Sequence, residues 1–129
     1  MKVKKYIIQE LWYNLYICFG DIKDFKVFYE NVCWDKLARK DMCQSWISIS
    51  IWDDIFCMVH SDCEHDYVDV MIHEIAHAMA EVFTYMWEKI QFNSEFWANY
   101  ISYYVREWIA FLEEIGATQN LKNNPDFKD

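Results

Sequence analysis

The chain has little positive charge: 12 lysines and arginines stand against 21 aspartates and glutamates, which gives a formal net charge of −9. An acidic surface repels the phosphate backbone, so we expect no binding to nucleic acid. The chain also lacks any apolar run near the roughly 18 residues that a membrane-spanning helix needs. We therefore expect no membrane segment.

Signals for secretion are also weak. Met1–Lys5 resembles the charged start of a signal peptide, but Gln9 and Glu10 interrupt the apolar run that follows. That run has no small-residue cleavage site. The five cysteines are an odd number without the regular spacing of a disulfide framework. We expect a cytoplasmic protein with free thiols.

Glycine and proline are scarce, with two glycines and one proline in 129 residues. Apolar residues make up 54% and aromatic residues 19% of the chain, which excludes disorder over most of it. A chain of this length forms one domain with a substantial core. We predict a single domain over residues 1–117 and a polar tail over residues 118–129 that frays.

The N-terminal half indicates a small sheet and one helix. Tyr6–Phe19 is rich in aromatic and aliphatic residues; its second half, Leu11–Phe19, is the better strand candidate, and its first half is compatible with a helix. Asp21 is a capping residue for a helix that runs to about Leu37. Residues 36–44 are polar and predict a connection.

Ser45–Trp52 alternates with a period of two, which predicts a half-buried strand. The isoleucines at 47, 49 and 51 share one face, which we expect to pack on the helix described below. Serines and tryptophans share the other face, which we expect to meet solvent. Asp53–Asp66 is interpreted as a polar loop.

That loop holds a cluster of residues that can bind metals. Cys57, His60, Cys63 and His65 follow the spacing C-x2-H-x2-C-x-H, which allows a second zinc site. Structural zinc sites more often pair ligand knuckles that a longer segment separates. We therefore favour an incidental cluster, with the acidic residues of the loop placed at the positive N-terminus of the next helix.

The strongest pattern lies in Val68–Lys89, whose apolar residues recur at three- and four-residue spacing and predict a helix. His73 and His77 are four residues apart and therefore share one face of that helix. Glu74 lies beside them, within reach of a water that a shared metal ion would hold. This is the H-E-x-x-H arrangement of zinc hydrolases, with two ligands and one general base.

A catalytic zinc needs a third protein ligand. Glu81 and Asp69 lie too far along the same helix to reach a metal held by both histidines. Glu95 is the best candidate, because it opens a second predicted helix, residues 93–115, that returns antiparallel and ends at Gly116. The alternative is a first-turn glutamate that the helix dipole stabilises. Asn99, one turn after Glu95, is placed to orient His73 through its free ring nitrogen.

His73-Glu74-x-x-His77 followed by Glu95-x-x-Ala98-Asn99 resembles the gluzincin metallopeptidase pattern, over about residues 45–114. The short spacing is similar to the ImmA/IrrE-like and other minimal metallopeptidase-like domains of bacteria and their phages. The resemblance implies that His73, His77 and Glu95 bind zinc, that Glu74 is the base and that Asn99 orients a ligand. Many gluzincins have Asp at the position of Asn99.

The chain also lacks the downstream histidine with which such enzymes stabilise the oxyanion. Five residues are candidates to replace it, and the sequence does not choose among them: Tyr85, Tyr100, Tyr103, Tyr104 and Arg106.

We therefore expect an α+β fold of the minimal zincin type, with a small N-terminal sheet packed on a long H-E-x-x-H helix and a second long antiparallel helix beside it. The expected function is zinc-dependent hydrolysis of a peptide or protein substrate that pairs with the strand Ser45–Trp52. One alternative is a zincin-like module that binds or regulates without cleaving. Another is a structural zinc protein with a fourth ligand from His60, His65 or a cysteine.

Overall fold

The structure, a computed structural model, describes residues 1–8, 12–86, 94–117 and 119, with the side chains of residues 85, 86 and 94–96 outside the description. The described elements follow the chain in this order: β1 (Lys2–Ile8), β2 (Tyr13–Gly20), α1 (Ile22–Cys33), a short 3-10 turn (Asp41–Cys43), β3 (Trp46–Ile51), β4 (Asp54–His60), α2 (Tyr67–Met86) and α3 (Ser94–Glu114). The α+β class expected from the sequence is confirmed.

The four strands form one sheet in the order β1-β2-β4-β3. Each outer strand forms an antiparallel hairpin with its inner neighbour, and the two inner strands, β2 and β4, run parallel to each other. A parallel pair needs a crossover connection, and α1 provides it. β3 lies at an edge of the sheet.

Helices cover both faces of the sheet. On one face α1 packs over β2 and β4, and the buried residues there form one cluster, which we call the α1 face. On the other face α2 and α3 pack side by side and form a second cluster with the alternate residues of the same strands. We call this the α2 face.

The start of α1 follows the sequence prediction, and its end does not. Asp21 caps the helix by accepting a hydrogen bond from the Lys23 backbone N–H at 2.7 Å. The helix ends at Cys33 rather than near Leu37, because Trp34 adopts the left-handed conformation with φ of 58°. The Glu30 carboxylate then accepts a hydrogen bond from the Leu37 backbone N–H.

Polar side chains close the first turn of α2. The Asp66 carboxylate accepts hydrogen bonds from the backbone N–H groups of Val68 and Asp69, at 2.7 and 3.1 Å. Gln119 accepts another from the Tyr67 N–H at 2.8 Å. Gln119 belongs to the predicted tail, so at least this tail residue is held against the domain; residues 118 and 120–129 lie outside the described residues.

α3 runs antiparallel to α2, as expected. The Phe83 ring, late in α2, contacts Tyr100, and the Trp108 indole N–H donates to the Tyr67 carbonyl at the start of α2. Gly116 follows the helix with φ of 68°, in the left-handed region that favours glycine at a helix end. The predicted start at Asn93 lies outside the described residues, and no helix in the described part is long and apolar enough to cross a membrane.

Two strands differ from the sequence prediction. The first half of Tyr6–Phe19 was compatible with a helix, yet β1 is a strand paired residue by residue with β2. The interpretation of Asp53–Asp66 as a polar loop was wrong, because this segment contains β4, whose residues Ile55–Val59 are completely buried. A strand with neighbours on both sides and helices on both faces is apolar throughout and shows no alternation.

The orientation predicted for β3 was also wrong. Its isoleucines share one face, but they pack on the α1 face of the sheet and not against α2. Trp46 packs on the α2 face, and Ser48 and Ser50 share its side of the strand. The isoleucine side of β3 therefore belongs to the cluster on the α1 face, and the serine side lies next to α2.

Three tryptophans stand out at one end of the sheet. Trp12, Trp34 and Trp52 are the described non-glycine residues with positive φ, at 59°, 58° and 54°. Their side chains are 83%, 93% and 90% exposed. Trp12 and Trp52 precede the parallel strands β2 and β4, and α1 runs back so that Trp34 reaches the same end. That end of the molecule therefore exposes an aromatic rim.

Candidate metal centre

α2 divides its side chains between the core and one exposed flank. Its buried residues recur at three- and four-residue spacing and face the sheet and α3: Tyr67, Val70, Met71, Glu74, Ile75, Ala78, Met79, Val82 and Phe83. His73 and His77 are exposed, one turn apart on the same flank. The helix predicted from the apolar period therefore places both imidazoles at the surface.

The two imidazoles converge on one point. Their Nε2 atoms are 2.9 Å apart and share a hydrogen bond, and the ring planes cross at 81°. Two histidine nitrogens on one tetrahedral zinc are about 3.3 Å apart, since each lies about 2.0–2.1 Å from the metal. A small rotation of the side chains would fit both to a zinc ion, so this pair suits a shared metal.

Glu74 is 5% exposed, and among the described residues it is the only charged one that is buried. Burial raises the pKa of its carboxyl, and the neighbouring His73 and His77 oppose that shift. A buried carboxyl with a raised pKa beside two imidazoles has the properties that a general base needs.

Cys57 of β4 forms the floor under Glu74. Its thiol donates a hydrogen bond to the Glu74 backbone carbonyl at 3.6 Å. Burial and the nearby Glu74 carboxylate both raise the pKa of this thiol well above its usual range. Cys57 is therefore a buried packing residue whose thiol keeps its proton.

β3 runs beside the exposed flank of α2. Trp46 contacts the His65 ring just before the helix, and Ser50 lines a cleft with Glu81 near its end. Between them Ser48 lies opposite Cys57 in the strand register and hydrogen-bonds with its thiol. An edge strand thus follows the helix past Glu74. The sequence showed that these serines share a face. That face was predicted to meet solvent, so the sequence did not place the serines next to α2.

The structure describes only the backbone of the third ligand predicted from the sequence. Glu95 lies in the first turn of α3, as expected, but its side chain is outside the described residues. Within residues 1–8, 12–84, 97–117 and 119, the side chains form no group of three or more His, Cys, Asp or Glu that could hold a metal. The described part of the candidate site therefore contains two histidines and one glutamate.

Asn99 does not lie near His73. It is exposed and lines a cavity with Ile7 and Ile8 of β1. β1 and β3 occupy opposite edges of a four-stranded sheet, so they are about 14 Å apart at a spacing of about 4.8 Å per strand. The structure brings Asn99 to the β1 edge, while His73 belongs to the helix flank beside β3.

Most of the candidate oxyanion residues also lie at the β1 edge, as Asn99 does. Three of them line the cavity beside Asn99: Tyr100, Tyr103 and Tyr104. Arg106 is exposed on α3, and the side chain of Tyr85 lies outside the described residues. The described tyrosines are thus at the β1 edge, and none of these three is placed beside the histidine pair.

The structure also disperses the cysteine and histidine cluster. Cys57 is buried under Glu74, and the Cys63 thiol donates to the His65 carbonyl at 3.6 Å. The His60 Nδ1 accepts a hydrogen bond from the Asp62 backbone N–H at 2.9 Å. These four residues serve local packing and turns, and they do not form one site.

Comparison with models of protein families, with curated proteins and with solved structures found no match. The geometry of the site is therefore the basis for any assignment of function.

Proposed function

We propose that this protein is a zinc-dependent peptidase of the compact gluzincin type. The observation that carries the proposal is the exposed His73–His77 pair, with Nε2 atoms 2.9 Å apart, beside the buried Glu74 and along an edge strand. Each part has a role in peptide hydrolysis: two ligands, a base and a strand that can hold an extended substrate.

His73 and His77 would hold the metal, and Glu95 is the proposed third ligand. Zinc bound there supplies a Lewis acid for the scissile carbonyl and makes a water molecule acidic near neutral pH. Glu74 would accept a proton from the attacking water and pass it to the leaving amine. The raised pKa of Glu74 favours the first transfer, because it makes the carboxylate a stronger base toward the water.

The substrate would add a strand to the free edge of β3. In the described part of the chain, β3 has β4 as its only strand neighbour, so its other backbone edge can pair with a peptide. Ser48 lies opposite Cys57, which contacts Glu74, so a peptide residue paired with Ser48 passes closest to the base.

The second candidate is a zincin-like module that binds without cleaving. The burial of Glu74 favours it, since a 5% exposed carboxylate has little access to water in the described conformation. A module of this kind needs the histidines and the edge strand, but not the Glu74 carboxylate. The two candidates therefore differ at this residue.

The decisive test compares wild type with Glu74→Gln. We expect both to hold one zinc ion per chain, and His77→Ala to hold none. Cleavage of a mixed pool of unstructured peptides, scored by mass spectrometry, should fall at least about a hundredfold in Glu74→Gln. Glu113→Gln, which makes the same charge change at the far end of α3, should cleave normally.

Three results would contradict the proposal. Equal zinc in wild type and His77→Ala would remove the metal site. Cleavage that survives Glu74→Gln would indicate a contaminating protease. A zinc-loaded protein that cleaves nothing in the pool, with Glu74→Gln indistinguishable in peptide binding, would favour the binding module.

A further inference from the structure

A cleft of about 210 Å³ lies beyond the histidine pair, between the end of β3 and the last turns of α2. Residues of β2, β3, the turn after β3, β4 and α2 line it: Tyr13, Ser50, Trp52, Ile55, Glu81 and Val82. The volume is below the range of pockets for whole small-molecule ligands, and it suits one long side chain.

The cleft combines negative charge with aromatic surface. Glu81 brings the carboxylate, and Tyr13 and Trp52 bring rings. Asp54 begins β4 and Asp53 precedes it, in a chain whose formal net charge is −9. Negative charge and aromatic faces both attract a cation, and indole is the ring that binds cations best.

One hydroxyl group at the cleft, that of Ser50, has no hydrogen-bond partner among the described residues. The Oγ of this hydroxyl is buried. A buried hydroxyl without a partner costs free energy, so a ligand that bonds to it is favoured. A guanidinium has five N–H donors in a plane, enough to reach a hydroxyl and a carboxylate at once while its face lies on a ring.

We propose that this cleft is the subsite for a basic side chain of the substrate, with arginine preferred to lysine. The inference rests on the proposed function and names its substrate class: extended peptides with a cationic residue near the scissile bond. An acidic side chain is repelled by Glu81, and an apolar one leaves the hydroxyl of Ser50 unpaired.

The strand register fixes where that basic residue lies in the substrate. Side chains two apart share a face, and Ser50 lies two residues after Ser48 on the α2 side of β3. A peptide residue paired with Ser50 therefore directs its side chain toward Glu81. It is two residues from the peptide residue paired with Ser48, which lies nearest to Glu74. Cleavage should fall at a constant distance of about two residues from the arginine.

The test uses one probe set and two readouts. An arginine is scanned through an uncharged, unstructured ten-residue peptide, and each member is matched by the same peptide with citrulline, which keeps the shape and removes the charge. Binding is measured by calorimetry on zinc-loaded Glu74→Gln, so that no peptide is consumed. Cleavage positions are mapped with the wild-type protein.

We expect arginine peptides to bind about tenfold more tightly than their citrulline partners, from one carboxylate contact and one cation–π contact. Glu81→Gln, introduced into the same background, should reduce that ratio to about two. Glu113→Gln, an equal change in charge away from the cleft, should leave it unchanged.

The outcomes separate this inference from the proposed function. Equal binding of arginine and citrulline peptides, or a preference that Glu81→Gln does not alter, overturns the basic subsite even if zinc-dependent cleavage occurs. An arginine preference that depends on Glu81 supports the subsite even if no peptide is cleaved, in which case hydrolysis fails alone. Cleavage at a constant distance from arginine supports both.

Discussion

The two faces of the sheet are built from the same four strands but have different chemistry. The α1 face is an aromatic cluster: the Phe56 ring is stacked on Tyr16 with a centroid distance of 4.8 Å, and Tyr29 and Phe25 meet it edge-on. The α2 face contains the buried carboxylate of Glu74 and the buried hydroxyl of Ser50. Buried polar groups cost stability, so the α2 face gives up free energy of folding at two positions, whereas the α1 face packs as an aromatic cluster.

The largest expected effect tests the stabilising role of the α1 face. Phe56→Ala removes a fully buried ring and leaves a cavity among four aromatic residues, so it should cost about 3–5 kcal/mol of unfolding free energy. Urea unfolding followed by circular dichroism measures the loss. Phe56→Leu is the matched control and should cost much less. A loss below about 1 kcal/mol for Phe56→Ala would mean that this face collapses around the gap.

The next effect concerns metal affinity, which should depend on the α2 side alone. Glu95→Ala should weaken zinc binding by more than about a hundredfold, since even residues that only support a ligand cost about 10–100-fold. Glu81→Ala, on the same flank as the histidines, should not change it. Competition with a chromophoric chelator gives both constants. Equal losses in the two variants, or none in Glu95→Ala, would place the third ligand elsewhere.

The buried carboxylate should also make the stability of the zinc-free protein depend on pH. Burial raises the pKa of Glu74 in the folded state, so its contribution is complete below its unfolded pKa of about 4.3 and is lost as the pH rises through the folded value. Glu74→Gln does not titrate. Its unfolding free energy should therefore exceed that of wild type by more at pH 8 than at pH 4.

Chemical denaturation at the two pH values, in the presence of a chelator, measures this difference. Glu113→Gln replaces an exposed glutamate and should give the same offset at both values. An offset for Glu74→Gln that does not change with pH would mean that the carboxylate is solvated in the zinc-free protein.

The smallest effect separates two serines on one strand. Ser50→Ala removes a buried hydroxyl that lacks a partner in the described part of the chain, so it should raise the unfolding free energy by up to about 1 kcal/mol. Ser48→Ala loses the hydrogen bond with Cys57 and should lower it by about 0.5–1.5 kcal/mol. Thermal unfolding resolves the pair. A lower unfolding free energy in both variants would show that the Ser50 hydroxyl has a hydrogen-bond partner, as that of Ser48 does.

The helices could be predicted from the sequence because their signals are local. The apolar period of α2, the Asp21 cap and the glycine after α3 each act within a few residues. The spacing of His73 and His77 on one turn then places their side chains together. These features need no knowledge of the rest of the chain.

The sheet could not be predicted as well because its signals depend on neighbours. β4 is apolar at every position, since both of its faces are covered, and the nearby cysteines and histidines suggested a metal-binding loop instead. The alternation of β3 showed which residues share a face. It could not show whether the isoleucine face packs against α1 or against α2, because both faces of this sheet pack against helices.

The distance between Asn99 and His73 has the same cause. The spacing from Glu95 to Asn99 gives one helical turn, but the position of α3 across the sheet depends on tertiary packing. Periodicity within a helix carries no information about which sheet edge that helix covers.

The parallel pairing of β2 with β4 has a consequence for the order of folding. Asn14 and Asp54 are bonded across a sequence separation of 40 residues, whereas each hairpin pairs neighbouring segments of the chain. Hairpins form in microseconds, while a distant pairing must first close a long loop. We therefore expect the union of the two hairpins, after α1 has docked, to limit the folding rate. The strand and helix that flank the histidines come from residues 46–86, so they can associate before that step.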